Sequence, residues 1–561
     1  MLKLLLGRAG AGKTEAILAA MAARAGERPQ VLLVPEQHSH DMERALCRAG
    51  GSAVSLGAEV LSFTRLAGRV FARYGGLAAP ALDGGGRLLL LCRALRSVTE
   101  ELKVYQRPSR KPAFLSELLA TVDELKTCGV TPEQLWAAGT EAGGGEGDKL
   151  ADLSLIFGAY EALTARQGAD PRDQLTRLAE VLEREDWAAG KDFYLDGFTD
   201  LTPQERRVVS AILGKCNSLT AALTCGSLDG EEEIFSPARR TARQLLRLAR
   251  KAGTAAETEI LPLPQGGRVP ALDHMEEQLF ASRPAPFEGD TRAVSLYTAY
   301  GPWSEAERAA AEILRLVREE GYRFRDIAVC ARSMEEWEGL LPIVFARYGV
   351  PLFFSRMSDI LEKPVLTLIT SALDAAAGGY RYDDVFRCLK TGLAGLSREE
   401  VDLLENYVLT WNLEGSAWTG QKPWSNHPKG WGRPFTPADR ALVERLDGLR
   451  RRVAVPLEAL RKNPDRTGIG QAKALYRLLE DLGVPRRLEE RAAALHGAGQ
   501  SALAEEYAQL WDILCAALEQ CAQVLGDVPM ELEEFARLFA LVLSQYDVGS
   551  IPVSLDQVTA G

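Results

Sequence analysis

Eight residues near the start of the chain have the types and spacing needed to hold a triphosphate: Gly7-Arg8-Ala9-Gly10-Ala11-Gly12-Lys13-Thr14. They fit G-x-x-x-x-G-K-[ST] without a mismatch, between an apolar run suited to a strand and an Ala-rich run suited to a helix. Gly7, Gly10 and Gly12 let backbone N–H groups close around phosphate oxygens, and the helix N-terminus behind them adds a favourable dipole. In this chemistry Lys13 reaches the β- and γ-phosphates and Thr14 holds Mg²⁺. ATP with Mg²⁺ is therefore the expected ligand.

A phosphate loop needs a second strand that ends in a carboxylate for the metal. Phe193-Tyr194-Leu195-Asp196 supplies it, which makes Asp196 the second expected metal-side residue. Asp196 would equally suit a turn cap. The residue after it is Gly197, where P-loop motors of the helicase type usually place a Glu that polarises the attacking water. Loss of that base removes a factor of about 10²–10⁴ in rate. Nucleotide binding with weak or no hydrolysis is expected, and no residue is assigned a catalytic role. Only six residues precede Gly7, which leaves no room for an adenine-recognition segment upstream and predicts weak base specificity.

Other chemistry is sparse. His38 and His40 have no ligand-spaced partners, so no metal-binding cluster is expected. The nine cysteines are scattered, with no C-x-x-C pair. That usage suits a reducing, cytoplasmic setting. No run of 18 apolar residues is present, so no membrane span is expected. The net charge of −11 argues against non-specific coating of nucleic acid but not against a local basic channel. Trp411, Trp418, Trp424 and Trp431 interleave with Lys422, Lys429 and Arg433. That mixture can form a single-strand platform or pin an irregular loop, and packing is the favoured reading.

The elements that must position these residues follow from periodicity. Residues 2–6, 31–34, 193–196 and 218–224 read as strands around the loop, and 60–63 as a further strand followed by a helix capped by Thr64. Long helices are expected at 87–99, 114–126, 150–166 and 173–183, with a flexible glycine loop at 139–147. Residues 262–290, rich in Pro and Gly, read as a linker. A second α/β stretch follows: a strand at 294–297, a helix opened by a capping box at Ser304–Glu307, and strands at 326–332 and 350–355. Helices resume from 375 to 545. The last residues, 550–561, read as a strand entering a turn with no crossover helix after it. This predicts a chain cut before its natural end.

Several segments together resemble one family. LLLGRAGAGKT (4–14), LLVPEQ (32–37), EVLSFTRLAGRV (59–70), LDGFTDLTPQE (195–205), GYRFRDIAVCAR (321–332), LKTGL (389–393), LENYVL (404–409) and SLDQVTAG (554–561) occur in order as in AddB, one of the two components of the bacterial AddAB helicase–nuclease. The resemblance implies an α/β chain with two RecA-like P-loop domains, each carrying a large helical insertion, as in superfamily 1 helicases. The expected division is 1–82 with 191–290 (first domain), 83–190 (its insertion), 291–375 with 546–561 (second, incomplete domain) and 376–545 (its insertion). It implies a protein that pairs with AddA to process double-strand DNA ends for recombinational repair. The same resemblance implies that it binds single-stranded DNA and scans it for the Chi hotspot.

Within that family the Chi-reading positions fall on Gln37, Ser39, Phe63 and Arg65. Phe63 also suits strand core, and Arg65 a surface ion pair. Relatives can carry Trp at the position of Gly68, so the hotspot sequence is expected to differ. The full-length family carries a nuclease domain with a four-cysteine iron–sulfur cluster beyond the segment SLDQVTAG. Neither nuclease nor cluster is expected in this chain. Two other readings stay open: an active superfamily 1 DNA helicase, and an inert scaffold with a relic phosphate loop.

Overall fold

Six short strands form the first sheet: β1 (Leu2–Gly7), β2 (Gln30–Leu33), β3 (Ala58–Leu61), β4 (Asp192–Leu195), β5 (Ser218–Thr224) and β6 (Ala256–Ile260). In the computed structural model, which describes residues 1–55, 57–77, 81–108, 112–230, 232–263, 269–281, 283–354, 357–360, 363–549 and 556–561, their order is β3-β2-β4-β5-β1-β6. Every pairing in this sheet is parallel.

Alternation along the strands divides the core. Leu2, Leu4, Leu6, Val31, Leu33, Phe193 and Leu195 pack on one face, and Leu5, Leu32, Val34 and Tyr194 on the other. The central strands are buried on both faces, which is why they read as near-continuous apolar runs. Helices α1 (Lys13–Ala23) and α2 (Ser39–Ser55) cover the second face. Helix α3 (Phe63–Tyr74) covers the first, together with helices Gln174–Arg184, Pro203–Leu213 and Ser236–Lys251. Because all six strands run the same way, their carboxyl ends, and the loops that follow them, collect along one edge.

This sheet belongs to the first of two units, Met1–Ala81 with Ser97–Leu296; the second comprises Leu82–Arg96 with Tyr297–Gly561. Between β3 and β4 the first unit carries helices Pro112–Cys128, Pro132–Ala142 and Gly144–Gln167. The expected flexible loop at 139–147 is instead a helix–helix crossing. A Cβ on Gly147 would lie 2.4 Å from the Gly139 carbonyl, so these glycines permit close backbone approach. The helix Gly84–Val98, expected in this insertion, packs through its first turns in the second unit: a Cβ on Gly85 would meet Val542 Cγ1 at 2.7 Å. Part of the expected linker, Pro270–Gln278, is helical, and residues 264–268 and 282 lie outside the described residues.

In the second unit, β7 (Ala328–Val329) and β8 (Leu352–Phe354) flank the terminal strand. Antiparallel β9 (Met357–Asp359) pairs with β10 (Asp547–Gly549). Strand β11 (Val558–Ala560) lies between β7 and β8, parallel to both. Residues 550–555 of the expected closing strand, and Ser355 of the expected strand at 350–355, lie outside the described residues. The helix Pro302–Glu319 buries Ala306, Ala310 and Ile313 against this sheet. It is capped one turn earlier than expected, at Gly301, whose N–H donates to Ser304 Oγ. The expected strand at 294–297 does not form: Leu296 is 99% exposed and the segment pairs with no strand among the described residues. Most of the rest of the unit is helical, as the periodicity from 375 to 545 indicates, with the Trp/Pro/Gly-rich stretch at 411–435 breaking it: no helix forms between Thr419 and Pro437.

Candidate functional site

The loop after β1 turns through Gly10 and Gly12, whose φ angles of 75° and 79° need residues without a Cβ, and runs straight into α1. Lys13 folds back over it. Its Nζ donates to the carbonyls of Gly7 and Arg8, both at 2.9 Å. Burial holds the Lys13 ammonium below its ordinary value, against the pull of the nearby Asp196 carboxylate. A phosphate presented here would replace two neutral acceptors with charged ones.

Asp196 arrives from β4, which is separated from β1 by β5. Although 182 residues separate them in sequence, Thr14 Oγ1 donates to Asp196 Oδ2 at 2.7 Å. The other carboxylate oxygen accepts from the Gly197 N–H at 3.0 Å. Hydroxyl and carboxylate side by side at the mouth of a phosphate loop form a donor set suited to Mg²⁺ bound with a nucleotide. The chemistry of the residues fits that cofactor.

Gly197 itself sits at φ 80°, and a Cβ there would lie 3.1 Å from Pro35 Cδ. A Glu at this position would be strained. We expect Gly197→Glu to cost about 1–3 kcal/mol of stability without creating DNA-stimulated hydrolysis. Thermal denaturation and a phosphate-release assay check both parts, and a large gain in turnover would contradict them.

One feature of the site had only a faint signal in the sequence. Arg8 donates from Nε to Glu276 Oε1 at 3.0 Å and from Nη2 to the Glu276 carbonyl at 2.8 Å, and its guanidinium stands 5.2 Å from the Phe235 ring centroid. An Arg inside a phosphate loop hints at an anion partner, but nothing in the spacing identifies a carboxylate 268 residues away.

The positions expected to read DNA lie at the carboxyl ends of β2 and β3. Gln37 is exposed on a short 3-10 turn, whereas Ser39 is buried and bonds the Glu36 carbonyl. Ser62, not Thr64, caps α3, its side chain accepting from the Arg65 N–H. Phe63 is therefore the first residue of a helix. It is 5% exposed and meets Phe198 edge-on, with ring centroids 5.5 Å apart. Arg65 is half exposed and pairs with Glu43 at 3.1 Å. Arg65 and Gly68 line one surface hollow of about 660 Å³, floored by Leu46, Val60 and Leu61. The contacts of Phe63 with Phe198 and of Pro35 with Gly197 draw three of the recognised segments together beside Asp196.

The TPQE part of LDGFTDLTPQE serves the fold. Thr202 and Glu205 form a reciprocal capping box, and Gln204 Nε2 bonds the Arg172 carbonyl and Thr176. The tryptophans of 411–431 divide between packing and exposure. Trp418 is 1% exposed and Trp424 stacks on Tyr407, whereas Trp431 is 86% exposed and lies against Trp411.

The family model described as ADDB, N-terminal matches residues 4–276. The chain is 33% identical to the B subunit of the ATP-dependent helicase/deoxyribonuclease of Acetivibrio thermocellus and 36% identical to that of Desulforudis audaxviator, in each case over 100% of this chain and 50% of the relative. It is 34% identical to the same-named protein of Symbiobacterium thermophilum, over 100% of this chain and 51% of the relative. The chain thus spans about half the length of the curated relatives it matches.

Proposed function

The chain belongs to the AddB family, and from that premise we propose that it binds ATP with Mg²⁺ and single-stranded DNA as part of a helicase–nuclease that processes double-strand breaks for recombinational repair. Its partner is AddA, and it works in the cytoplasm. The two α/β stretches act as RecA-like domains, 1–82 with 191–290 and 291–375 with 546–561, carrying the insertions 83–190 and 376–545. The observation that carries the reading is the Thr14–Asp196 hydrogen bond beside Lys13, followed at once by Gly197. Lys13, Thr14 and Asp196 would hold the metal–nucleotide complex, and Gly197 offers no carboxylate to activate water. Turnover is weak or nil, so motion along DNA comes from AddA.

Scanning for Chi falls to the carboxyl edge of β2 and β3. Gln37 and Arg65 offer polar groups to a base edge or phosphate. Phe63 fixes the edge from beneath through Phe198, and Ser39 holds the turn that presents Gln37. We expect Arg65→Ala, in the complete complex, to weaken the hotspot response while unwinding continues. Loss of the exposed pair with Glu43 costs little stability. An unchanged hotspot response on a Chi-bearing duplex, measured by fragment length, would remove Arg65 from the reading site.

An active motor is the second reading, and Glu276 favours it. Its carboxylate stands at the loop and could polarise water if Arg8 released it. On that reading Glu276→Gln abolishes hydrolysis; on ours it leaves a low rate unchanged.

A further inference from the structure

The helix Ser236–Lys251 is the most one-sided in charge in the first unit. Its sequence, SPARRTARQLLRLARK, contains no carboxylate. Ala238, Thr241, Ala242, Leu245 and Ala249 are buried on the inner side. Arg240, Arg243, Arg247 and Arg250 emerge on the outer side at intervals of three and four, so they form one stripe along the helix. At 1.5 Å of rise per residue, the stripe from Arg240 to Arg250 is about 15 Å long. These side chains, with Arg239, Ser236 and Gly230, line an open depression of about 680 Å³.

Two of the arginines are engaged locally. Arg239 is buried and holds Glu232, and Arg243 bonds the Leu228 carbonyl. Arg240, Arg247 and Arg250 have no ion pair or side-chain hydrogen bond among the described residues. Like charges at these spacings repel and weaken a helix, and the chain as a whole is acidic at −11. A row of uncompensated guanidinium groups on an acidic protein is therefore a local feature that overall composition does not explain.

We propose that this stripe is a binding site for the sugar–phosphate backbone of DNA. The residue type favours it: the planar guanidinium fork matches phosphate oxygens, and arginine outnumbers lysine five to one in this helix. The shape favours it too. The depression is open and its lining is mostly arginine, with no aromatic side chain among the residues that line it to stack on a base, so it grips backbone without reading sequence. The assignment rests on the reading of the chain as a DNA-binding body and adds where the backbone lies.

The test is fluorescence anisotropy of the 561-residue chain with a labelled (dT)20 strand, and separately with a 20-base-pair duplex, over a salt series. The variant replaces Arg240, Arg247 and Arg250 with Gln, and a second variant replaces the same three with Lys. If three phosphate contacts are lost, the slope of log K against log salt becomes shallower by about 2 for the single strand. The Lys variant should keep the slope, and circular dichroism of both should match the parent chain. The arm in which the slope changes tells whether single strand or duplex lies on the stripe. Parent-chain binding with an unchanged slope in the Gln variant would overturn the assignment and leave the stripe to an acidic protein partner, the DNA-binding reading itself surviving. No binding by the parent chain at low salt would remove the DNA-binding reading, and the stripe with it.

Discussion

Mg²⁺-ATP is expected to raise the melting temperature of this chain, and Lys13→Ala to abolish the rise. In the free protein the Lys13 ammonium rests on the Gly7 and Arg8 carbonyls, depressed by burial and held up by Asp196. A triphosphate supplies charged oxygens in place of those carbonyls, and charge-assisted bonds are the stronger kind. Nucleotide at 100 times its dissociation constant adds about 2.7 kcal/mol to the folded state. For a unit of this size each kcal/mol is worth roughly 2–4 °C, so a shift of about 5–10 °C is expected. Removing Lys13 leaves the glycine loop able to form but takes away its only ammonium. Differential scanning fluorimetry with and without nucleotide reads the effect. An equal shift in both proteins would place the nucleotide elsewhere.

Asp447→Ala destabilises the second unit by about 3–5 kcal/mol, the size expected when one partner of a buried pair is removed. Arg450 is 2% exposed and bonds Asp447 Oδ1 at 2.9 Å and the Trp418 carbonyl at 2.6 Å. Asp447 also accepts from the Trp424 N–H at 3.1 Å and from Arg451 Nε at 2.8 Å. Asp447 and Arg450 thus fasten the tryptophan stretch to the helix Pro437–Arg461 together, and loss of the carboxylate leaves a guanidinium buried without its counter-charge. Burial alone would raise the Asp447 carboxyl above its ordinary 3.8; the Trp424 N–H and Arg450 outweigh it and hold it lower. A depressed folded value means that this stability is present above the unfolded value and fades as pH falls through the folded one, so the gap between wild type and variant narrows below about pH 4. Urea denaturation at pH 7 and pH 3 measures it. A change under 1 kcal/mol at pH 7 would show that the loop holds without the Asp447 carboxylate.

What could be read in advance followed short-range physics. The turn between β1 and α1 and the strand at 218–224 are set by local spacing and stand where periodicity put them, and the strand expected at 31–34 forms one residue earlier, at Gln30–Leu33. The readings that changed depended on partners distant in sequence. The glycines at 139 and 147 look like a loop until a second helix lies against them. Val294–Tyr297 has the composition of a strand but no neighbouring strand to pair with among the described residues. Phe63 shows why a recognised position does not by itself reveal what its side chain does. The Ser62 cap lies two residues before the expected Thr64 cap, so the helix begins at Phe63 and the ring turns into the core. In the site, Thr14 and Asp196 were legible because their chemistry demands each other, whereas the Arg8–Glu276 pair obeys no spacing rule.

The central claim is a site that binds nucleotide without running on it. It is tested most directly by the steady-state hydrolysis rate of this chain saturated with Mg²⁺-ATP, with and without single-stranded DNA, on protein whose nucleotide occupancy has been measured by equilibrium binding. The account predicts high occupancy with a rate at least about 10²-fold below the 1–10³ s⁻¹ usual for enzymes, with or without DNA. Full occupancy with DNA-stimulated turnover of tens per second would contradict it and make this chain a motor in its own right.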